Sequence, residues 1–312
     1  IPEHLDNPFA RHQEVTRANI LWYRILTIIT WLLSFIPTIY YTYHTPHDNA
    51  SPHHHYHHRH TTFGQSHAHP TPFTINHVFV SIYWVAMFFG QVGYVLHLFA
   101  SNDVWVKAAC SVGPHFILFN LLNFAHIMLW TRAHFILAEV ALAINFLQLT
   151  SLYFRHSLPR PRNLHTTHPQ HSLNPRTETD YVPISTIKSI HIPTVSMPLA
   201  WTYFALFWNG AVMVRCHDAM VCRILANIAI WGIVPLAGTF LFAYGDWTMG
   251  LAIAFLTAGL GVGQFFMKTF ALQWIFAFSI MSIVILATLS LIAPMGNNTS
   301  TGERAPLLTE DA

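Results

Sequence analysis

Two ionisable side chains, His126 and Glu139, lie deep inside long apolar stretches of this sequence. They belong to two neighbouring apolar runs, Ala108–Thr131 and Ala133–Phe154, which are separated by Arg132 alone. If both runs form membrane helices, the helices are antiparallel neighbours joined by a tight turn, and the two side chains lie at similar depth. A carboxylate and an imidazole within reach of each other can share or transfer a proton. The sequence therefore predicts a hydrogen-bonded His126–Glu139 pair.

The other polar side chains on the same run argue against a compact metal site. His115, Asn123 and His126 share one face of a helix at about 100° per residue. His115 and His126 are nevertheless roughly 16 Å apart along the helix axis, too far to bind one metal ion together. Because polar side chains commonly join membrane helices through hydrogen bonds, a purely structural role is the alternative for this set.

A run of histidines between the first two apolar stretches is the second feature that could do chemistry. Neutral imidazoles bind zinc or copper, and in an acidic compartment they would protonate and repel one another. A low-complexity loop under little constraint is the alternative. The candidate metal ligands are His53, His54, His55, His57, His58 and His60.

Sequence motifs of enzymes are missing from the chain. It contains no HExxH, no nucleophile elbow and no P-loop, so we expect a protein that is not an enzyme, and no particular cofactor is indicated. The glycines of 259–263 lie inside an apolar run and do not follow a strand, which argues against a nucleotide-binding loop. Together with Gly250, Ala254 and Ala258 they predict close helix packing.

The composition is that of an integral membrane protein. Hydrophobic residues make up 53% of the 312 positions and charged residues only 9%, whereas soluble domains carry about 25% charged residues. A net charge of +2 without a basic stripe excludes a nucleic-acid partner and leaves the lipid bilayer as the expected surroundings.

Cys216 and Cys222 flank a short loop and either form a disulfide in an oxidising lumen or stay free.

The elements that must position these residues are apolar runs close to the ~20 residues that a membrane helix needs. They predict an all-α, polytopic transmembrane bundle of about eight spans over residues 25–292, between an N-terminal segment 1–24 and a tail 293–312. A His-rich loop, 44–75, and a disordered loop, 155–191, interrupt it. The spans are Ile25–Tyr43, Val78–Phe99, Ala108–Thr131, Ala133–Phe154, Ile192–Val214, Ile224–Tyr244, Trp247–Met267 and Phe270–Ile292.

The distribution of positive charge predicts the orientation of this bundle. Ten Lys and Arg residues fall on the side of the termini and five on the opposite side, which places both termini in the cytosol and the His-rich loop in the lumen. The sequon Asn49-Ala50-Ser51 lies in that loop. Trp22, Trp105, Trp130 and Trp247 lie at run ends, as in an interfacial belt, whereas Trp84, Trp201, Trp208, Trp231 and Trp274 lie further inside and either line a cavity or pack.

The tail contains a sorting motif. Glu303 precedes the pair Leu307 and Leu308 by four positions, which resembles an acidic dileucine signal. Such signals are bound by clathrin-adaptor complexes, which implies residence in the vacuolar or endosomal membrane. Residues after Pro294, among them Gly296, oppose helix formation and predict an extended, accessible tail.

Short segments spread along the whole chain resemble the fungal multi-pass membrane family of domain of unknown function 1774. That family implies a helical membrane fold and carries no settled activity. The segments include Asn7-Pro8-Phe9-Ala10-Arg11, Thr30-Trp31-Leu32-Leu33, His115-Phe116-Ile117-Leu118, Met128-Leu129-Trp130-Thr131-Arg132, 205–212, 272–278 and Pro306-Leu307-Leu308.

A fainter resemblance is to the tryptophan-rich sensory protein and translocator family, on Ser81-Ile82-Tyr83-Trp84 and on Trp201 spaced eight residues from Asn209. It implies a cavity for a hydrophobic or planar small molecule, lined by Trp84, Asn123, Trp130, Trp201 and Asn209; His126 and Glu139 are added as ionisable neighbours. Packing is the alternative for these aromatic residues. A ligand-binding membrane protein is therefore our leading hypothesis. A transporter or proton-coupled carrier and an assembly partner of a vacuolar complex are the alternatives.

Overall fold

The computed structural model describes residues 4–5, 17–46, 60–101, 103–155, 182–183, 189–216, 220–267 and 272–300. Within these ranges the chain is almost entirely helical, as predicted. A two-residue antiparallel pair, β1 (His4–Leu5) with β2 (Val182–Pro183), is the exception. The helices are α1 Arg17–Tyr43, α2 Thr62–Ala68, α3 His77–His97, α4 Asp103–Thr131, α5 Phe135–Arg155, α6 Met197–Met213, α7 Met220–Ala229, α8 Ile233–Gly238, α9 Trp247–Met267 and α10 Gln273–Ser300. A π-helical turn, Ile192–Ser196, leads into α6, a 3-10 turn, Ile230–Gly232, joins α7 to α8, and a second π-helical turn, Thr239–Ala243, follows α8.

Hydrogen bonds near the ends of helices define two faces of the bundle. On the face where α1 begins, which we call the proximal face, the Arg24 side chain donates to the carbonyl of Leu98 at 2.8 Å. On the opposite, distal face the Thr62 hydroxyl donates to the carbonyl of Tyr41 at 3.2 Å. The β1–β2 pair joins the N-terminal segment to the segment before α6, and both belong to the proximal face in the predicted topology.

Among the residues that the structure describes, seven helical segments are long and apolar enough to cross a membrane, judged by length and composition. Their bounds agree with seven of the eight predicted spans to within five residues. The remaining predicted span, Ile192–Val214, is helical as well, in the π-helical turn and α6, but it is not among the seven. Most residues of α6 are buried inside the protein, so this helix tolerates proline, threonine, tryptophan and asparagine where a lipid-facing helix would carry aliphatic side chains.

The bundle is arranged around α6 and α9. Of the 18 most apolar consecutive residues in α9, 67% are buried within the protein, whereas the corresponding shares are 17% in α1 and 22% in α10. The outer helices therefore present exposed leucine, isoleucine and valine side chains, such as Ile29, Leu137 and Leu286, to the surroundings. Since a water-exposed surface of this kind would be very unfavourable, the protein is a multi-pass membrane protein.

Three boundary predictions are wrong because neighbouring structure overrides local propensity. The His-rich loop 44–75 contains a helix, α2, which is capped by the Thr61 side chain and tied to α4. The loop 155–191, predicted to be disordered, ends in helical residues 189–191, and His191 is buried. The helix α10 continues to Ser300 through the glycine and asparagine residues that were expected to stop it, because a helix that has already formed propagates at little cost.

The small residues of α9 allow neighbouring elements to approach closely, as predicted. A side chain at Gly259 would meet Phe79 of α3, and one at Gly261 would meet the ring of Phe278 of α10. At Gly263 the neighbour is backbone: an added Cβ would lie 2.8 Å from both the amide nitrogen of Asn76 and the carbonyl oxygen of Thr74. The segment before α3 is fixed in this groove by the Gln264 amide, which donates to two of its carbonyls at 3.0 Å.

We expect Gly263→Ala to destabilise the protein by about 1–3 kcal/mol, because backbone atoms cannot move aside as a flexible side chain would. The matched control is Gly93→Ala in α3, where no atom lies within 4 Å of the added Cβ. That substitution should be neutral or stabilise by up to ~1 kcal/mol through helix propensity. Thermal unfolding of both variants in nanodiscs checks this, and an equal melting temperature for the two variants would refute the packing explanation.

Cys216 and Cys222 are joined by a disulfide at the distal face. Of the two alternatives that the sequence left open, a disulfide or two free thiols, the structure shows the disulfide. The bond connects the end of α6 to α7 across six residues. Cys110 in α4 is a buried free thiol.

Candidate functional site: a tryptophan-lined cavity

A small cavity lies between α2, α3, α4 and α6, near the distal face. Its volume is about 20 Å³, enough for roughly one water molecule. Aromatic rings form most of its wall, and the side chains that line it carry no formal charge apart from what a protonated His126 would contribute. The lining residues are Thr62, Phe63, Trp84, His126, Ile127, Trp130, Trp201, Ala205, Trp208 and Asn209.

The four tryptophans of the wall contact one another in two edge-to-face pairs. The ring centroids of Trp84 and Trp201 are 5.1 Å apart, and those of Trp130 and Trp208 are 5.9 Å apart. Trp201 and Trp208 are seven residues apart on α6 and therefore project from the same face of that helix. Phe63 stacks on Trp84 with centroids 5.9 Å apart and closes the cavity from the side of α2.

Helix α2 is held over the cavity by reciprocal hydrogen bonds with the end of α4. The indole N–H of Trp130 donates to the carbonyl of Thr62 at 3.0 Å, and the Gln65 side-chain amide donates to the carbonyl of Trp130 at 3.2 Å. Trp130 was predicted to lie in an interfacial belt. It is instead buried, since its exposed fraction is 4%, because α2 covers it.

Asn209 is oriented by two acceptors on α5. Its amide nitrogen donates to Oε2 of Glu139 at 2.7 Å and to the carbonyl of Phe135 at 2.9 Å. Because both partners are acceptors, the amide nitrogen must face them and the oxygen Oδ1 must face elsewhere. Gly210 permits this contact, since a Cβ there would lie 3.2 Å from Oε1 of Glu139.

Four buried polar atoms of the lining residues have no hydrogen-bond partner within the described part of the protein. They are Nδ1 of His126, Nε1 of Trp201, Nε1 of Trp208 and Oδ1 of Asn209. Each such atom costs about 1–3 kcal/mol if it stays unpaired, so buried polar atoms are nearly always paired. A group of four around one cavity marks it as the candidate site, for a water molecule or for another small molecule.

The structure brings together five of the seven predicted ligand-binding residues: Trp84, His126, Trp130, Trp201 and Asn209 all line the cavity. Asn123 does not line the cavity, because its amide donates a hydrogen bond to the hydroxyl of Ser34 on α1 at 2.8 Å. This bond joins two helices, which is the structural alternative given for this residue. Glu139 lies behind Asn209 and holds it.

The predicted His126–Glu139 pair is wrong. The Glu139 carboxylate accepts a hydrogen bond from Asn209, and Nδ1 of His126 has no partner in the described protein. Similar depth on two neighbouring helices does not bring two side chains together unless both helices turn those faces toward each other. Here α6 inserts its Asn209 beside Glu139, which is 70 residues away in sequence.

A wide depression on the distal face adjoins the cavity. Its volume is about 880 Å³, and residues of the α2–α3 connection, the α4–α5 turn and the end of α6 line it. Phe135 lines the depression and contacts one residue of the cavity wall, since the centroid of its ring lies 5.4 Å from that of Trp130. The other lining residues include His69, His134, Arg215 and Cys216.

A buried polar cluster that the sequence did not predict lies at the proximal face around Asp246. Oδ2 of this carboxylate accepts hydrogen bonds from Tyr153 at 3.0 Å, His191 at 3.1 Å and Ser196 at 2.9 Å. Oδ1 accepts from the backbone N–H groups of Thr248 at 3.0 Å and Met249 at 3.1 Å, so Asp246 caps α9.

The environment of Asp246 favours its charged form. Burial alone would raise the pKa of the carboxyl group, but the hydrogen bond and charge of His191, with the donors of Thr248 and Met249, hold this pKa well below its usual range. The cluster joins the end of α5, the start of the helical run before α6, and α9. It is therefore a structural anchor at one end of the bundle.

The candidate metal ligands His53, His54, His55, His57 and His58 lie outside the described residues, and His60 is at their edge. Among the residues that the structure describes, no group of three His, Cys, Asp or Glu side chains could hold a metal ion. The sorting residues Glu303, Leu307 and Leu308 also lie outside the described residues.

Comparison with known proteins supports part of the predicted relationship. Residues 223–308 match the model of a family described as a fungal protein of unknown function (DUF1774). The predicted resemblance is thereby confirmed for the last third of the chain, through Leu308, and the cavity residues lie upstream of the match.

One matching relative is an uncharacterized protein of Schizosaccharomyces pombe, 37% identical over 93 residues. These residues are 29% of this chain and 35% of the relative, so the chain covers about a third of the length of that protein. No solved structure matches the chain. The fainter resemblance to the tryptophan-rich sensory protein and translocator family stays a prediction.

Proposed function

We propose that this protein is a non-enzymatic membrane protein that binds a hydrophobic, planar small molecule in the tryptophan-lined cavity. The observation that carries the proposal is the set of four partnerless polar atoms on residues that also supply aromatic walls. Apolar packing alone would be served better by phenylalanine or leucine, because an unpaired buried indole N–H costs free energy. Binding sites typically combine such apolar walls with a few precisely placed polar groups.

Binding of a molecule larger than water requires the cavity to widen. Two features of the wall permit this. Helix α2 has only seven residues and is connected to the following helix by an irregular segment, and Phe135, which lines the distal depression, contacts the ring of the cavity residue Trp130. We propose that the ligand enters from the depression past Phe135 and displaces Phe63 outward with α2.

The proposal includes eight membrane spans with both termini in the cytosol. The ten-to-five distribution of positive charge supports this orientation. The disulfide between Cys216 and Cys222 at the distal face supports it independently, because disulfides persist in oxidising compartments. Protease added outside sealed vacuoles should remove a tag from either terminus and spare the His-rich loop. Digestion of the loop together with protection of both termini would show that the orientation is the opposite of the proposed one.

We further propose that the protein resides in the vacuolar membrane through its tail. The family match extends to Leu308, fifteen positions beyond Ala293 at the end of the last apolar segment, so it includes the proposed leucine pair. An adaptor complex is the partner that this motif implies. The proton-coupled carrier stays the alternative, but the His126–Glu139 pair that could have transferred protons does not support it, because that pair is not formed.

Small molecules that co-purify with the protein in mild detergent test the binding proposal. The informative variant is Ala205→Leu, which places a larger side chain into the cavity. The matched control is Ala211→Leu on the same helix, buried but outside the cavity. We expect at least one small molecule at near-stoichiometric amount in the wild type and in Ala211→Leu and its depletion in Ala205→Leu. Identical profiles for the two variants would refute the proposal.

A further inference from the structure

We infer that the ligand of this cavity is an uncharged ring system that carries an oxygen atom, and that it accepts a hydrogen bond from the indole N–H of Trp201 or Trp208. The inference rests on the proposed binding function and specifies the chemistry of the ligand. It follows from which polar atoms of the wall lack a partner, and from which kinds of side chain are missing from the wall.

Both partnerless tryptophan atoms are obligate donors. An indole nitrogen has one N–H and no acceptor capacity, so only an acceptor atom can pair it. Trp201 and Trp208 are almost completely buried, with exposed fractions of 2% and 6%. Since both residues line the cavity and neither donor has a partner within the described part of the protein, we infer that an acceptor in the cavity pairs them. Carbonyl, ether or hydroxyl oxygens are the acceptors that small ring compounds carry.

Asn209 adds an acceptor at the same site. Its amide nitrogen is occupied by Glu139 and Phe135, so Oδ1 is the atom left for a ligand. A hydroxyl group would satisfy both Asn209 and an indole N–H, because it donates and accepts. A ketone would satisfy the indoles alone and should bind less tightly than the corresponding alcohol.

The lining also excludes an ionic ligand. No Lys, Arg, Asp or Glu is among the residues that line the cavity. Burying an unpaired charged group among apolar side chains costs far more than neutral hydrogen bonds return. An anionic molecule would therefore remain in the distal depression, where His69, His134 and Arg215 lie.

The tryptophans of the wall provide a built-in comparison. Trp130 uses its N–H inside the protein, as a donor to Thr62, whereas Trp201 and Trp208 do not. Replacing tryptophan by phenylalanine keeps an aromatic ring and removes the donor. Trp130→Phe should therefore lower the melting temperature of the ligand-free protein, and the double variant Trp201→Phe with Trp208→Phe should lower it less, because no protein hydrogen bond is lost.

Three ring compounds of similar size test the inference on the full chain in nanodiscs: fluorene, 9-fluorenol and the anion of fluorene-9-carboxylic acid. Saturable binding is measured after subtraction of the binding to empty nanodiscs. Each affinity is expressed relative to the concentration of the probe in the bilayer. We expect the alcohol to bind about tenfold more tightly than the hydrocarbon, as one or two neutral hydrogen bonds provide, and the anion to bind most weakly. The double phenylalanine variant should reduce the preference for the alcohol to about threefold or less.

The outcomes separate this inference from the proposed function. If the alcohol and the hydrocarbon bind equally and Ala205→Leu abolishes both, the cavity binds ligands but the inferred hydrogen bond is wrong. Tightest binding of the anion, or an unchanged preference in the double variant, also overturns the inference. If no probe binds saturably and nothing co-purifies with the wild type, the proposed function fails and the inference with it.

Discussion

Asp246→Ala is expected to destabilise the protein by about 3–5 kcal/mol, because it leaves several buried hydrogen-bond donors without their acceptor, at about 1–3 kcal/mol each. The carboxylate is 4% exposed and is shared by Tyr153, His191 and Ser196. Alanine would leave all three without their acceptor and would remove the N-terminal cap of α9. Because α9 is the most buried of the seven candidate spans, the loss of this anchor should lower the melting temperature in nanodiscs strongly.

A graded series of variants serves as the control for this prediction. Tyr153→Phe and Ser196→Ala each remove one donor and keep the carboxylate, so each should cost about 1 kcal/mol. Asp246→Asn keeps the shape and should lie between these variants and Asp246→Ala. If Asp246→Ala were no more harmful than Tyr153→Phe, the cluster would not be the anchor that its geometry indicates.

The depressed pKa of Asp246 predicts how its contribution depends on pH. A carboxyl group whose folded pKa lies below its unfolded value of about 3.9 stabilises the protein fully above that value. The contribution is lost as pH falls through the range between the two pKa values. The difference in melting temperature between wild type and Asp246→Asn should therefore be at its full size at about pH 5 and shrink below about pH 4. A difference that grew with acidification would contradict the assigned charge state.

The double substitution Leu307→Ala with Leu308→Ala is expected to redirect the protein away from the vacuolar membrane, its proposed location, without unfolding it. Both leucines follow the last predicted membrane span, Phe270–Ile292, so we expect the helical bundle to fold without them. An adaptor that reads the acidic residue and the leucine pair would lose its main apolar contact. Imaging of the full-length tagged protein in the native cell measures the change.

Two further variants make the sorting experiment decisive. Glu303→Ala should weaken the signal partially, since it removes the acidic part of the motif and leaves the leucines. Pro306→Ala lies inside the same segment and serves as the control that should keep the localisation. Unchanged vacuolar residence of the double leucine variant, with a normal melting temperature, would place the sorting signal elsewhere in the chain.

The sequence was sufficient to predict those features that depend on local pattern. Long apolar runs predicted the membrane helices to within a few residues, and the small residues of α9 predicted close packing that Gly259, Gly261 and Gly263 display. Of the five inner tryptophans, Trp84, Trp201 and Trp208 line the cavity whereas Trp231 and Trp274 do not, and Trp130, which was assigned to a run end, lines it as well. Each of these features is encoded within one segment of about twenty residues.

Features that depend on the relative rotation of distant helices could not be predicted. Asn209 and Glu139 are 70 residues apart, and His191 and Asp246 are 55 residues apart. Asp246 lies in a short connection between two apolar runs, where a carboxylate ordinarily faces water. Only the fold shows that the end of α5 and the segment before α6 close over it. The role of α2 as the cover of the cavity was hidden by its position after a histidine-rich stretch.

A high-resolution structure of the protein purified from its native membrane into nanodiscs tests the central claim most directly. The account predicts density for a molecule larger than one water between the rings of Trp84, Trp201 and Trp208. Its polar atom should lie within hydrogen-bond distance of an indole Nε1 and of Oδ1 of Asn209, with Phe63 moved away from Trp84. A cavity closed as described here in the natively purified protein, with Phe63 stacked on Trp84 and no more than a single water molecule inside, would contradict it.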